Sequence, residues 1–304
     1  MRKKAQFQFA WIFAVVVGAM ILFLAFYFVG TTLLRQQYEQ TTIETQSLDI
    51  LLNPFAYLGS LGATTYNPLS LPEESEILMN CDKGNRIGEI GKNTITLLSK
   101  GEAGVPKIAY DKYIFTPQPI KGKNFEALSK PFEMPWRVAD LIILWPSNQE
   151  YCFQNAPSRI ENEIERLEIS SIKTQNCSKD SIKVCFTGSC DIRVYGDSVE
   201  KKGKGKVYYS GDALMYAAIF SDPALYRCNL QRLASRIYSE ALVYEKKSLA
   251  LSQRGCDVSY NLRPIKDASE KLYNSPTIKD NVIALENTAQ ILKNVNNMGD
   301  CTLF

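Results

Sequence analysis

The pattern of apolar and polar residues separates an apolar N-terminal segment from a long mixed remainder. From Ala5 to Leu34 no residue is charged, and three of the four residues before this segment are basic. About 20 consecutive apolar residues are enough for a helix to cross the hydrocarbon core of a bilayer. The pattern therefore predicts a transmembrane helix, with residues 1–34 comprising a basic tail and the membrane span.

The next two segments differ in periodicity. Residues 35–52 are polar with spaced apolar positions, and their Gln and Glu residues favour a helix. We expect this stalk helix to end at Asn53, because the residue before a proline disfavours α conformation, and its last apolar residues to dock on the head. Residues 53–72 contain Gly, Pro and Thr without a period, which predicts a linker.

Residues 73–210 predict a β-rich domain. The candidate strands are short, rich in Ile, Val, Phe and Tyr, and bounded by turn residues. They are Glu76–Asn80, Thr94–Ser99, Lys112–Thr116, Asp140–Leu144, Tyr151–Gln154, Ser181–Phe186, Ile192–Tyr195 and Lys206–Tyr209. The nearly continuous apolar run 139–145 is the best candidate for a central strand. A helix beginning at Pro157 interrupts the strands, with Ile160 and Ile164 on its apolar face and Glu163 on its solvated side.

Residues 211–304 predict helices that belong to the same head. Residues 211–220 are apolar, Asp222 is a candidate N-cap, and a helix should follow from Pro223 to Arg254 with Gly255 as its stop. Arg232 lies off the apolar line of that helix, and two further helices follow. The expected fold class is α+β: a transmembrane helix extended by a stalk, a mainly antiparallel β head, and a C-terminal layer of about three helices.

Composition excludes several kinds of chemistry. The 304 residues include no histidine, which removes Ser-His-Asp and Cys-His catalytic systems and His-ligated metal sites. The net charge of +3 is too small to indicate nucleic acid as a partner. No motif marks a catalytic residue, a cofactor site or a metal site, so we expect a non-enzymatic protein without a cofactor.

Eight cysteines indicate an oxidising compartment. Their number is even, and they are spread along the chain after the membrane segment. They are Cys81, Cys152, Cys177, Cys185, Cys190, Cys228, Cys256 and Cys301. The pattern therefore predicts disulfides in an extracytoplasmic head.

Spacing suggests some disulfide pairings and leaves alternatives. A two-residue turn at Thr187-Gly188 would place Cys185 opposite Cys190 in an antiparallel hairpin, within disulfide range; pairing of Cys177 with Cys185 is the alternative. Cys81 with Cys152 would join two strand regions. At the C-terminus, Cys301 would pair with Cys256 or with Cys228.

The charges on either side of the apolar segment predict its orientation. Three cations precede it, whereas residues 30–52 contain one cation and three acidic residues. Positively charged flanks remain on the cytoplasmic side. We therefore expect a cytoplasmic N-terminus, a single pass through the cell membrane and an extracellular head.

The start of the chain, Lys4-Ala5-Gln6 followed by an unbroken apolar helix, resembles the class III signal of archaeal type IV pilins. The resemblance implies removal of a basic leader between Ala5 and Gln6, with the helix retained. Many type IV pilins carry Glu at the fifth mature position, where this chain has Ala10. The large head with its cysteines also resembles that of single-span archaeal surface proteins that begin with such a helix.

Small residues four positions apart form a ridge on this helix. Ala10, Ala14 and Gly18 would let a second membrane helix approach closely. The expected partners are thus the bilayer and other membrane helices, including copies of this chain. We expect a structural, adhesive or pilin-like surface component; the alternatives are an extracytoplasmic ligand-binding or sensor module and, third, a membrane-tethered hydrolase lacking His.

Overall fold

The computed structural model describes residues 11–32, 42, 52, 64–99, 101–255, 261–298 and 301–304. The architecture is α+β, as the sequence predicts, with an N-terminal apolar helix, two β-sheets and C-terminal helices. The helices in chain order are α1 (Trp11–Thr32), α2 (Ser158–Leu167), α3 (Gly211–Phe220), α4 (Pro223–Ser252), α5 (Arg263–Asn274) and α6 (Lys279–Met298).

The first sheet has seven strands in the order β3-β2-β1-β6-β7-β5, with β4 also paired to β2. All its pairs are antiparallel except β5 with β7. Its strands are β1 (Thr65–Asp82), β2 (Lys92–Ser99), β3 (Glu102–Ala103), β4 (Lys107–Ala109), β5 (Tyr113–Phe115), β6 (Ile120–Glu133) and β7 (Arg137–Pro146).

This sheet is curled, and its strand β7 is buried on both faces. Asn93 of β2 donates a hydrogen bond at 3.1 Å to the carbonyl of Lys112, next to β5, although these strands are far apart in the sheet order. Side chains of β7 alternate between two apolar clusters, with Ile142 and Leu144 on one face and Ile143 on the other. The apolar run predicted as a central strand is therefore an interior strand, covered on both sides.

The second sheet has six strands in the order β13-β12-β11-β10-β8-β9. The pairs from β9 to β11 are parallel and only those involving β12 are antiparallel. The strands are β8 (Tyr151–Gln154), β9 (Ile172–Lys173), β10 (Ile182–Cys185), β11 (Ile192–Val194), β12 (Ser198–Lys201) and β13 (Gly205–Tyr208).

Helix α3 fills the space between the two sheets. It is apolar nearly all round and buried from Ala213 onward, as expected for a helix with neighbours on every side. The ring of Phe220 lies 4.4 Å from that of Trp145 in the first sheet and 4.6 Å from that of Tyr151 in the second. One apolar core therefore joins the sheets and the C-terminal helices into a single head.

The start of α4 follows the sequence signals closely. The carboxylate of Asp222 accepts a hydrogen bond from the amide of Ala224 at 2.9 Å, and Pro223 is the first helical residue. This is the arrangement that caps the free amides of a helix N-terminus. Gly255 has a positive φ of 87° just beyond the helix, which confirms the predicted stop.

The predicted linker 53–72 is wrong over its last residues, because β1 begins at Thr65. Residues 65–70 pair with β6, whereas pairing with β2 starts only at Ser75. Pro68 and Pro72 thus lie where β1 has no neighbour on the β2 side, and a proline is tolerated where no partner strand needs its amide. The local turn signals misled the prediction, since tertiary pairing decides this strand.

Two described residues of the predicted stalk contact the head. The hydroxyl of Thr42 accepts a hydrogen bond from the amide of Val105 at 3.3 Å, between β3 and β4. Leu52 is fully buried in the cluster that contains Ile142 and Leu144. Docking of the stalk is therefore seen at these two helical positions, and the other stalk residues lie outside the described part of the chain.

Candidate functional site

Helix α1 has the length and apolarity of a membrane span. The most apolar window of 18 residues within this 22-residue helix has a mean hydropathy of 2.8, and none of that window is buried inside the protein. At 1.5 Å per residue the helix is about 33 Å long, close to the thickness of a bilayer core. It is the one helix among the described residues that is long and apolar enough to cross a membrane.

The ridge of small residues is partly visible on α1. Ala14 is exposed, and a Cβ added to Gly18 would meet no atom within 4 Å, so this face of the helix is open. Ala10 and the predicted processing residues Ala5 and Gln6 lie outside the described residues. Self-association through the ridge therefore remains a prediction.

Three disulfides link described cysteines: Cys81–Cys228, Cys152–Cys177 and Cys185–Cys190. Cys301 is also disulfide-bonded, and its partner lies outside the described residues, as does Cys256. Among the described cysteines none is free.

The predicted pairing of Cys81 with Cys152 is wrong, because these residues belong to different sheets. Cys81, near the end of β1, faces α4 and bonds to Cys228 there, which also rules out a bond from Cys228 to Cys301. Cys152 lies in β8 of the second sheet and reaches Cys177 in the segment after β9.

The Cys185–Cys190 pairing is confirmed, but the hairpin proposed to produce it is wrong. Cys185 ends β10, which pairs with β11 in parallel, with Cys185 opposite Arg193. Cys190 lies in the connection before β11. Cys190 therefore lies near Cys185 because the connection between β10 and β11 folds back towards the end of β10. The alternative Cys177–Cys185 bond is excluded by the Cys152–Cys177 disulfide.

A cleft of about 510 Å³ opens on the head beside the N-terminus of α3. Its walls come from β6, α2, α3 and α6. The charged side chains that line it are Lys130, Glu133, Glu163, Asp212, Glu286 and Lys293.

A buried ion pair lies at one side of this cleft. The ammonium of Lys130 in β6 donates to both carboxylate oxygens of Glu163 in α2, at 2.6 and 2.7 Å. Thr64 donates to the same carboxylate at 3.1 Å, and the ring of Tyr216 lies 4.2 Å from the ammonium. The sequence prediction of a solvated Glu163 is therefore wrong, since it lies three residues after Ile160 on the inward face of α2.

The pKa values of this pair reflect burial and contact. Burial works to raise the pKa of Glu163, but the hydrogen bonds and charge of Lys130 outweigh it and hold the pKa below its usual value. Burial also lowers the pKa of Lys130, against the effect of Glu163. Other charges of the cleft are paired as well: Lys293 lies 3.5 Å from Glu133. The Lys130–Glu163 ion pair holds α2 against β6 of the first sheet.

Comparison with family models, with curated proteins and with solved structures gave no match for this chain.

A second polar cluster is centred on Arg232 in α4. Its guanidinium donates to the carbonyls of Lys112, Tyr110 and Gly91 at 3.0, 2.8 and 3.2 Å, and to the side-chain oxygen of Asn229 at 2.8 Å. Burial lowers the pKa of Arg232 to about 10, so it is protonated at neutral pH. The sequence placed this residue on the polar side of α4. In the structure it holds the two loops that flank β2 and β4 against α4.

Two features of the described residues bear on catalysis, the grouping of metal-ligating side chains and the surroundings of Lys201. Within the described ranges, no three Cys, Asp or Glu side chains come together in a way that could hold a metal ion. Burial lowers the pKa of Lys201 to about 7, but its ammonium donates to the carbonyl of Ser221 and does not line the cleft. Lys201 therefore acts as a link between β12 and the end of α3.

Proposed function

We propose that this chain is a single-pass membrane protein whose disulfide-bonded head lies outside the cytoplasm and serves as a structural or interaction component of the cell surface. The observation that carries the proposal is α1, an apolar helix of bilayer length whose most apolar window is nowhere buried by the described part of the head. An isolated helix of this composition is stabilised by lipid and would aggregate in water.

Two features support the orientation. The basic residues before α1 favour a cytoplasmic N-terminus under the positive-inside rule. The three disulfides, of which Cys81–Cys228 and Cys152–Cys177 bridge separate elements, suit an oxidising compartment.

Selective reduction and labelling of intact cells tests the orientation. A membrane-impermeant phosphine followed by a membrane-impermeant maleimide should label the head without lysis, and only after reduction, because the head cysteines that the structure describes are all disulfide-bonded. A cytoplasmic protein with accessible thiols, treated with the same reagents, serves as the control for cell integrity and should stay unlabelled until the cells are lysed. Labelling that requires lysis, or that needs no reduction, would contradict the proposed topology.

Assembly through α1 is the more specific part of the proposal. The resemblance to pilin signals predicts cleavage between Ala5 and Gln6, which the intact mass of the membrane-extracted protein would reveal. Because the Cβ position of Gly18 is empty, Gly18→Leu costs the monomer nothing, so any effect reports on a neighbouring helix. We expect this variant to reduce cross-linked oligomers at least fivefold.

Val16→Leu is the matched control, since Val16 is exposed on the opposite side of α1, two residues from Gly18. Equal cross-linking of the wild type and the Gly18→Leu variant would remove the small-residue ridge from the proposal without affecting the membrane anchor.

The cleft beside α3 favours a second candidate, a ligand-binding module. Its charged lining suits a small polar ligand more than an apolar one. A thermal-shift screen of small polar metabolites on the full chain in detergent tests this. A true cleft ligand should raise the melting temperature of the wild type but not of Gln290→Trp, a substitution on the cleft wall that fills space with an indole ring.

A further inference from the structure

One edge of the head carries four exposed apolar side chains close to the point where the stalk joins it. Ile90, Val105, Ile108 and Tyr110 are 59, 43, 43 and 55% exposed. Single exposed apolar residues are common on protein surfaces, whereas a group of them marks an interaction site. We refer to these four residues as the apolar edge.

Hydrogen bonds show that the members of the apolar edge are neighbours. One nitrogen of Arg232 donates to the carbonyls of both Gly91 and Tyr110, which places the chain next to Ile90 beside Tyr110. Ile108 in β4 and Tyr110, directly after this strand, are both exposed, whereas Ala109 between them is buried. Val105 precedes the same strand by two residues.

The stalk fixes this edge near the membrane. The amide of Val105 donates to the hydroxyl of Thr42, ten residues after the end of α1 at Thr32. Ten residues span about 15 Å as a helix and at most about 35 Å when fully extended. A head of this size has a radius of gyration of about 18 Å, so a point held this close to the membrane helix belongs to the side that faces the bilayer.

The chemistry of the edge fits the surface of a bilayer. Tyr and aliphatic side chains are stable at the level of the lipid headgroups, with the phenol hydroxyl in water and the ring in the acyl boundary. The charged residues of 83–92 and 104–111 are four cations and two acids, a net positive charge that attracts anionic headgroups where the facing leaflet contains them. They are Lys83, Arg86, Lys92, Lys107, Glu89 and Asp111.

We infer that the apolar edge inserts into the headgroup region of the bilayer, so that the head lies on the membrane surface and does not stand away from it on its stalk. This inference rests on the proposed function, because it requires α1 to be inserted. The hydrogen bond between Thr42 and Val105 links the stalk to the apolar edge and so holds the edge close to the bilayer.

Depth-dependent quenching of tryptophan by lipid bromine tests the inference on the full chain in proteoliposomes that contain anionic lipid. Ile108→Trp is made in a Trp11→Phe background, where the remaining Trp136 and Trp145 are buried. Ile291→Trp on α6 is the matched control, since Ile291 is equally apolar and 62% exposed. We expect lipids brominated near the carbonyl end of the acyl chain to quench the Ile108→Trp signal at least twofold more than the control, with a blue-shifted emission.

Each outcome has a defined meaning. Quenching no stronger than that of Ile291→Trp overturns the inference. A blue shift without quenching also overturns it, since a second protein copy would then cover the edge. Tyr110→Trp, at a second exposed position, guards against a local folding defect at Ile108. Trp11 in the otherwise wild-type chain reports insertion of α1: if it is quenched while the edge is not, the inference fails alone, and if neither is quenched, the proposed anchoring fails as well.

Discussion

The buried arginine of α4 allows the sharpest test of how the head is held together. Arg232 is almost fully buried and bonded to carbonyl oxygens and to Asn229. A buried guanidinium stabilises the folded state through its planar, fork-shaped set of N–H donors, but burial of its charge costs free energy. Arg232→Met removes both the donors and the charge, whereas Arg232→Lys removes the fork and keeps the charge.

The magnitudes follow from the hydrogen bonds. In Arg232→Met, the carbonyl of Lys112 and the side-chain oxygen of Asn229 still accept from Asn93, so the carbonyls of Gly91 and Tyr110 lose their donors. Two orphaned acceptors cost about 2–6 kcal/mol. A pKa lowered from 12.5 to about 10 corresponds to a charge penalty of about 3 kcal/mol, which the substitution removes. The net effect therefore lies between a gain of about 1 kcal/mol and a loss of about 3 kcal/mol in stability.

Arg232→Lys should be the more damaging change by about 1–3 kcal/mol, although it is the more conservative one. A single ammonium cannot span the acceptors that the two guanidinium nitrogens reach, and it is more strongly hydrated than a guanidinium. Denaturant unfolding of the full chain in detergent, followed by near-ultraviolet circular dichroism, measures both free energies.

A matched control for these variants is Arg263→Met in α5, an arginine that is mostly exposed and pairs loosely with Asp267 at 3.8 Å. It should change stability by no more than about 0.5 kcal/mol. If Arg232→Lys proved as stable as the wild type, or more stable than Arg232→Met, the reasoning from fork geometry and charge would be refuted.

Two further predictions concern the disulfides and the buried ion pair. Replacing both cysteines of Cys81–Cys228 with serine should lower the free energy of unfolding by about 5 kcal/mol, and the same change at Cys185–Cys190 should lower it by about 2 kcal/mol. The reason is that the two disulfides close loops of different length, with sequence separations of 147 and 5. Equal losses in denaturant unfolding would contradict the chain-entropy explanation. Folding lowers the pKa of Glu163 below its unfolded value of about 4.3, so its contribution is present at neutral pH and is lost as pH falls through the folded pKa. Glu163→Gln should therefore cost about 1–3 kcal/mol at pH 7 and progressively less as the pH falls through the folded pKa of Glu163, and a cost independent of pH would show that the carboxylate charge is not involved.

Strand β6 shows why part of the head could not be predicted. It occupies the interior of the first sheet between β1 and β7, yet its sequence contains lysine, glutamate, glycine and proline and does not alternate simply. Buried Glu126 accepts a hydrogen bond from Tyr66 at 2.5 Å, and buried Lys130 pairs with Glu163. These partners are distant in sequence, so a local pattern cannot show that the polar residues are satisfied inside a strand.

The sequence by itself determined the features that depend on local chemistry. An uncharged run of bilayer length specifies α1, Asp222 and Pro223 specify the start of α4, and the α+β class follows from the two periodicities. Solvent preference and backbone sterics act over a few residues, so the sequence displays them directly.

Only the tertiary structure decided which cysteines pair, which polar residues are buried and how far β1 extends. Cys81 bonds to Cys228 because β1 runs past α4, and Arg232 is buried because loop carbonyls from two other segments meet its guanidinium. Each of these outcomes depends on groups brought together from distant parts of the chain. The free energy of burying a charge or closing a disulfide is set by those neighbours and not by the residue's own sequence context.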